Sequence, residues 1–248
     1  QFADLYLPSI PPTDATGYPT IILIHGGCWR AQYDLSPLGQ FCQTFADLGV
    51  AVWNLEYRRI GNGGGWPTTF LDVAAGTDYL RTVAATERLD LTRVVAVGHS
   101  AGGHLALWLA VRHRLPSASP LFTTDPLSLK GVVALAGIPD LTDAAARDIC
   151  RGAVPELLGG TPEQMPDRYR DGSPSAHLPG GLPQHLIIGL QDQAVPSVHN
   201  ERYHEQAHAA GDAAELTLLP ETGHFEIVTP GTRVWPVVQN AVLDLLKR

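Results

Sequence analysis

Gly98-His99-Ser100-Ala101-Gly102 sets a serine between two glycines. It stands directly behind the β-branched run 94–97 and directly ahead of a helical pattern that puts Leu105, Trp108 and Leu109 on one face. Strand, sharp turn and helix in that order strain the serine backbone and lift its hydroxyl above the end of a sheet. A hydroxyl is a poor nucleophile until a base takes its proton, and imidazole is the suitable base near neutral pH. The imidazole needs a carboxylate to fix its tautomer. Among ten histidines, His224 alone follows the last expected strand, in Glu221-Thr222-Gly223-His224-Phe225. His199, His204 and His208 fall on one predicted helix and read as a solvated face rather than a metal site. For the acid, Asp192 comes directly after the apolar run 185–190. Its rival Asp140 follows the preceding strand, and Asp212 opens the final strand at the wrong end. Ser100, Asp192 and His224 thus occur in the chain order of a triad built on a hydrolase sheet.

Acyl transfer also needs N–H donors aimed at the oxygen that gains charge, and losing one costs about 2.7–4 kcal/mol of barrier. The N–H of Ala101, next to the serine, is one candidate. Gly27 and Cys28, in His25-Gly26-Gly27-Cys28-Trp29, are the others, because two glycines let that backbone turn inward. His25 suits a buried structural place at the same time. Trp29, Trp66 and His99 are assigned to substrate contact, the two tryptophans shaping an apolar acyl or aryl pocket with residues 138–183. Glu226 is expected to pair with Arg58 or Arg59.

These side chains need a sheet beneath them. The continuous apolar runs 20–24, 50–55, 131–135 and 185–190 mark strands covered on both faces. Helical patterns lie between them at 38–48, 70–84 (one long helix), 196–211 and 234–245. The alternation predicts an α/β fold, a mostly parallel central sheet with helices on both faces, whose function gathers at the carboxyl ends of the strands. A single domain over residues 1–248 is expected. Residues 138–183 are too long for an idle connection and predict a small inserted cap. The loop 61–65 is glycine-rich but lacks the spacing of a phosphate cradle.

A net charge of −8 without any Lys/Arg cluster argues against nucleic acid as a partner. No apolar run approaches the roughly 20 residues of a membrane span. Three cysteines cannot all pair within one chain. Cys28–Cys42 is the bridge to consider, and three reduced thiols are the expectation, which favours a cytoplasmic over a secreted location. The expected partner is a small-molecule ester, and the chemistry calls for no metal or organic cofactor.

Taken together, His25-Gly26-Gly27-x-Trp29, residues 56–59 (Glu-Tyr-Arg-Arg), the Ser100 elbow, Ser173-Pro174, Asp192-x-x-Val195-Pro196 and Gly223-His224-Phe225-Glu226 resemble the α/β-hydrolase superfamily. Within it they resemble the feruloyl-esterase-like carboxylesterases and are similar to kynurenine formamidases. The resemblance implies a serine esterase working through an acyl-enzyme, with Ser100, Asp192 and His224 as triad and Gly27, Cys28 and Ala101 as oxyanion donors. Cys28 stands where lipases carry a third glycine, and the short N-terminal part is consistent with a sheet lacking the superfamily's first strand. Arylformamidase activity is the alternative among enzymes, and a non-catalytic binding module of the same fold is the alternative outside them.

Overall fold

Apolar runs without polar alternation form the interior of a sheet here. A computed structural model of the chain describes residues 2–12 and 15–247; residues 1, 13, 14 and 248 lie outside it. β1 (Ala3–Tyr6) and β2 (Tyr18–Ile24) lead into α1 (Gly39–Asp47) and β3 (Ala51–Leu55). α2 (Thr68–Asp78) and α3 (Leu80–Glu87) then precede β4 (Leu89–His99), α4 (Ala101–Val111) and β5 (Gly131–Leu135). Three short helices follow, α5 (Leu141–Ala146), α6 (Ala153–Leu158) and α7 (Pro166–Gly172). β6 (Gln184–Gly189), α8 (Ser197–Ala209), β7 (Ala214–Leu219) and α9 (Trp235–Lys247) complete the order.

The seven strands lie in the order β1-β3-β2-β4-β5-β6-β7. Only β1 runs antiparallel, against β3. The predicted α/β sheet is therefore observed, and Ile24↔Gly98, His99↔Leu135 and Gly189↔Leu219 align its carboxyl ends on one edge. α1 and α9 meet on one face, where Phe41 and Trp235 pack edge to face at 5.1 Å. α2 and α4 meet on the other through Phe70 and Trp108, 5.2 Å apart. Every residue of α4 is buried, which suits its almost wholly apolar sequence. Near its end, Arg112 is neutralised by Asp78.

The helix expected over 70–84 is two helices divided at Tyr79. Trp53 Nε1–H donates to the Gly76 carbonyl at 3.0 Å, taking the oxygen that an unbroken helix would offer to Leu80 N–H. Residues 138–183 are not loose either. Leu141, Ala144, Val154, Leu157, Leu158 and Tyr169 are buried and join the main core. Among the described residues no helix is long and apolar enough to cross a membrane.

Candidate active site

The turn between β4 and α4 has the geometry its glycines suggest. Ser100 is held at φ 56°, ψ −121°, a left-handed backbone that non-glycine residues adopt only under constraint. Its N–H donates to Leu135 O (2.8 Å) and its carbonyl accepts from His104 N–H (3.0 Å). A β-carbon on Gly98 would lie 2.0 Å from Gly102 O, and one on Gly102 would lie 2.0 Å from Ile24 O. Strand and helix therefore touch backbone to backbone, which is what allows so tight a turn. Ala101 opens α4, so its N–H is one of the helix's free N-terminal donors.

Asp192 and His224 are brought together from the ends of β6 and β7. His224 Nδ1 and Asp192 Oδ2 are 2.6 Å apart, with the carboxylate fully buried. Asp192 Oδ1 accepts from Ala194 N–H (2.8 Å) and Val195 N–H (2.9 Å). Burial works to raise the Asp192 carboxyl, but the bonds from His224, Val195 and Ala194 outweigh it and hold it below the ordinary carboxylate range. No hydrogen bond joins Ser100 Oγ to His224 among the described residues, a link that often tightens only with substrate in place. The rival carboxylates have other work. Asp140 caps α5 through Asp143 N–H (2.9 Å), and Asp212 accepts from Gly180 and Gly181 N–H (2.7 and 2.8 Å).

His99, assigned to substrate contact, faces the histidine loop instead. Its Nε2–H donates to the His224 carbonyl at 2.8 Å, and the two rings lie 4.5 Å apart. Burial, and the proximity of His224, push the His99 imidazole down to about 3, so it stays neutral. Glu226 is exposed and does not meet the arginines: Arg58 pairs with Asp72 and Arg59 with Glu56.

The loop after β2 turns back under Ser100. A β-carbon on Gly26 would be 3.1 Å from Ser100 Cβ, so this glycine lets the loop press against the elbow. Gly27 (φ 109°), Cys28 (φ 51°) and Trp29 (φ 54°) are all left-handed. Among the described residues the N–H groups of Gly27 and Cys28 donate to no backbone carbonyl. His25 is buried, stacks on Tyr57 at 4.4 Å and meets Glu56 Oε1 at 3.1 Å, which makes it a structural support for the loop. Trp29 is likewise fully buried, its Nε1–H donating to His104 Nδ1 at 3.3 Å, so it anchors the loop in the core rather than walling a pocket. Trp66 is half-buried, packs on Phe70 at 5.4 Å and donates its backbone N–H to Leu157 O (2.7 Å).

Two sequence expectations give way here. Cys28 is not a reduced thiol and does not pair with Cys42: it forms a disulfide with Cys150, 122 residues on, with the Cα atoms 5.5 Å apart. Cys42 is buried in α1 among Phe41 and Phe45, too far inside to bridge. The ground for preferring a cytoplasmic location is thereby removed. A cavity lies beside the loop. It holds about 540 Å³, between Cys28, Arg30, Tyr33, Cys150, Arg151 and Gln193. His199 is buried rather than solvated, with Nδ1 2.7 Å from Asp143 Oδ2. Among the described residues no group of three or more His, Cys, Asp or Glu side chains is placed to hold a metal ion.

The family model described as BD-FAE matches residues 3–206. The chain belongs to the BD-FAE family. Among solved structures, a truncated carbohydrate esterase from gut microbiota superposes with a TM-score of 0.83 at 22% identity, covering 99% of this chain and 91% of that one. The propionate-bound esterase Est2 of Thermogutta terrifontis gives 0.75 at 23% identity, covering 99% and 86%. At such identity these neighbours speak to the fold. Of the curated relatives, the non-reducing polyketide synthase Preu3 of Preussia isomera is 28% identical over 126 residues, 48% of this chain. The synthase prhL of Penicillium brasilianum is 22% identical over 319 residues, 98% of this chain. The BD-FAE chain spans 5% and 13% of the lengths of these two synthases.

Proposed function

We propose that the chain hydrolyses carboxylic esters through an acyl-enzyme, with Ser100 as nucleophile, His224 as base and then acid, and Asp192 orienting His224. The carrying observation is the 2.6 Å Asp192–His224 bond at the same sheet edge as the elbow serine. An ionised Asp192 accepts Nδ1–H, which leaves the His224 Nε2 lone pair free to take the Ser100 proton. Ser100 Oγ then adds to the carbonyl carbon, and the carbonyl oxygen takes the electron pair beneath the N–H groups of Gly27, Cys28 and Ala101. Collapse expels the alcohol, which takes the proton from Nε2. Water, deprotonated by the same nitrogen, repeats the sequence on the acyl-enzyme, releasing the acid and restoring the serine.

Small acyl groups on a polar alcohol such as a sugar, or aryl acids such as ferulate, are the substrates this reading favours. The cavity, with Arg30, Arg151, Tyr33 and Gln193 among its walls, offers polar side chains to a hydroxyl-rich leaving group. Residues 138–183 act as the cap over it, since Cys150 and Arg151 belong to that stretch. The names of structural neighbours run the same way, a carbohydrate esterase and an acetyl ester-xyloside bifunctional hydrolase from Caldicellulosiruptor lactoaceticus among them. The disulfide suits an oxidising compartment.

The test is kcat/KM for acetylated xylo-oligosaccharides, methyl ferulate, a p-nitrophenyl ester series and N-formylkynurenine, with Ser100→Ala as control. Turnover of the esters, abolished in Ser100→Ala, is expected. Preference for the formyl amide would make the chain an arylformamidase, and activity surviving in Ser100→Ala would overturn the mechanism.

A further inference from the structure

Donors in an oxyanion site are useful only if they are already aimed when charge develops. Here the loop that would aim them is held in a conformation its side chains resist, with Cys28 at φ 51° and Trp29 at φ 54°. Such backbone persists only where its surroundings over-determine it. Backbone bonds to Ile60 hold the loop's far end, from Ile60 N–H to Trp29 O (2.8 Å) and from Ala31 N–H to Ile60 O (2.9 Å), and three attachments are made by side chains. Trp29 is bonded downward to His104. Arg30 reaches outward to Glu156 (2.7 Å) and to the Arg151 carbonyl (3.3 Å). Cys28 is tied covalently to Cys150.

The far end of that tie is built the same way. Asp148, Cys150, Arg151 and Gly152 take φ of 53°, 66°, 48° and 76°, and Gly152 N–H closes the turn onto Asp148 Oδ1 at 2.8 Å. The Arg30–Glu156 pair is open to solvent and so is a weak clamp. Two left-handed turns, 122 residues apart, are therefore joined face to face by one covalent link, the sulfur bridge, beside the weaker bonds of Arg30. The bridge lines the cavity of about 540 Å³, and both of its cysteines are only half-buried. The third cysteine does not compete, because burial pushes the Cys42 thiol up to about 12.

We propose that Cys150, through its disulfide to Cys28, is a positioning residue for ester hydrolysis: it holds the Cys28 N–H in the oxyanion site. The inference rests on the reading of Gly27 and Cys28 as donors. Opening the bridge with a dithiol moves two electrons and two protons; the S–S bond becomes two thiols and the reductant closes to its own disulfide. The loop then loses its covalent attachment, and turnover falls while substrate binding changes little.

The experiment treats the wild-type chain with dithiothreitol, counts thiols, and compares it with Cys150→Ser. For each form kcat and KM for p-nitrophenyl acetate are measured, together with the affinity for a phenylboronic acid, whose tetrahedral adduct places an oxygen in the oxyanion site. Complete loss of one donor lowers kcat about 10²–10³-fold. A loosened donor should lower it by roughly ten- to a hundredfold, with KM within about threefold and boronate affinity falling in parallel. Reoxidation should restore the wild type and leave Cys150→Ser impaired. A kcat within twofold of the oxidised enzyme overturns the inference, as does loss of activity accompanied by loss of near-ultraviolet circular dichroism at the assay temperature. An inactive Ser100→Ala beside an unaffected Cys150→Ser overturns this inference alone; an active Ser100→Ala overturns the reading on which it rests.

Discussion

Acid should unfold this protein through two histidines before its carboxylates matter. His99 and His104 are almost wholly buried, and burial pushes their imidazoles down to about 3 and about 4. The geometry of His104 explains the resistance to charging. Its Nε2–H donates to Gly172 O at 2.8 Å while Nδ1 accepts from the Trp29 indole at 3.3 Å, so a second ring proton would face another N–H. Unfolded, each histidine titrates near 6.5. The folded value lies below the unfolded one, so as pH falls from about 6.5 the unfolded chain takes up protons that the native state refuses, and stability drops until the folded values are reached. At pH 5, about 1.5 below the unfolded value, and at about 1.4 kcal/mol per pH unit, each histidine withdraws about 2 kcal/mol. The pair withdraws about 4 kcal/mol from a total that is 5–15 kcal/mol for typical domains. His177 and His199, also lowered by burial, act in the same direction. The carboxylates Asp192, Glu56, Asp90 and Asp143 are held low, so their contribution is present above about pH 4 and is lost only below it. Urea unfolding at pH 7.5 and pH 5, at constant ionic strength, measures the effect. His104→Gln should lose about 2 kcal/mol less than wild type over the same interval. A wild-type loss below about 1 kcal/mol, or an equal loss in the variant, would refute the argument.

Two substitutions probe the site more directly. Asp192→Asn keeps the volume and the bonds from Ala194 and Val195, but turns an N–H toward His224 Nδ1 and so selects the tautomer that cannot accept the serine proton. On p-nitrophenyl acetate kcat should fall about 10⁴-fold with little change in KM, and a fall of less than tenfold would remove Asp192 from the role. Gly26→Ala sets a β-carbon 2.8 Å from the His99 carbonyl and 3.1 Å from Ser100 Cβ. Both neighbours belong to the elbow, so kcat should drop about 10²–10³-fold as the loop backs away, whereas unchanged kcat with a native circular dichroism spectrum would show that the loop plays no part.

Much of the fold and of the site is legible in the sequence. Buried parallel strands announce themselves as unbroken runs such as Ile21 to Ile24 and Val94 to Val97, and the glycines about Ser100 mark the elbow because only backbone contact explains them. The pairing of Asp192 with His224 followed from their places after consecutive strands. What escaped was non-local. Nothing near Cys28 points to a partner 122 residues away, and the spacing to Cys42 misleads because α1 turns that thiol inward among phenylalanines. The break at Tyr79 depends on an indole from β3, and the burial of Trp29 depends on a histidine from α4. Such features come from tertiary contacts and leave no periodic trace in the chain.

The contacts of α4 with β4 and β2 have a consequence for how this chain can change over evolutionary time. At Gly98 and Gly102 the atoms in the way of a side chain are carbonyl oxygens, 2.0 Å from where a β-carbon would stand. Side chains can step aside by changing rotamer; backbone cannot without moving a strand or a helix. The joint that presents Ser100 is thus closed to gradual exploration, since every single replacement at either glycine meets the same wall. Residues 138–183 are packed into the same core and tied to the loop below by a sulfur bridge and by Arg30, but a β-carbon on Gly160 or Gly172 there would meet side chains first. Single replacements should therefore be tolerated in that stretch more readily than at the elbow, where the backbone leaves no room.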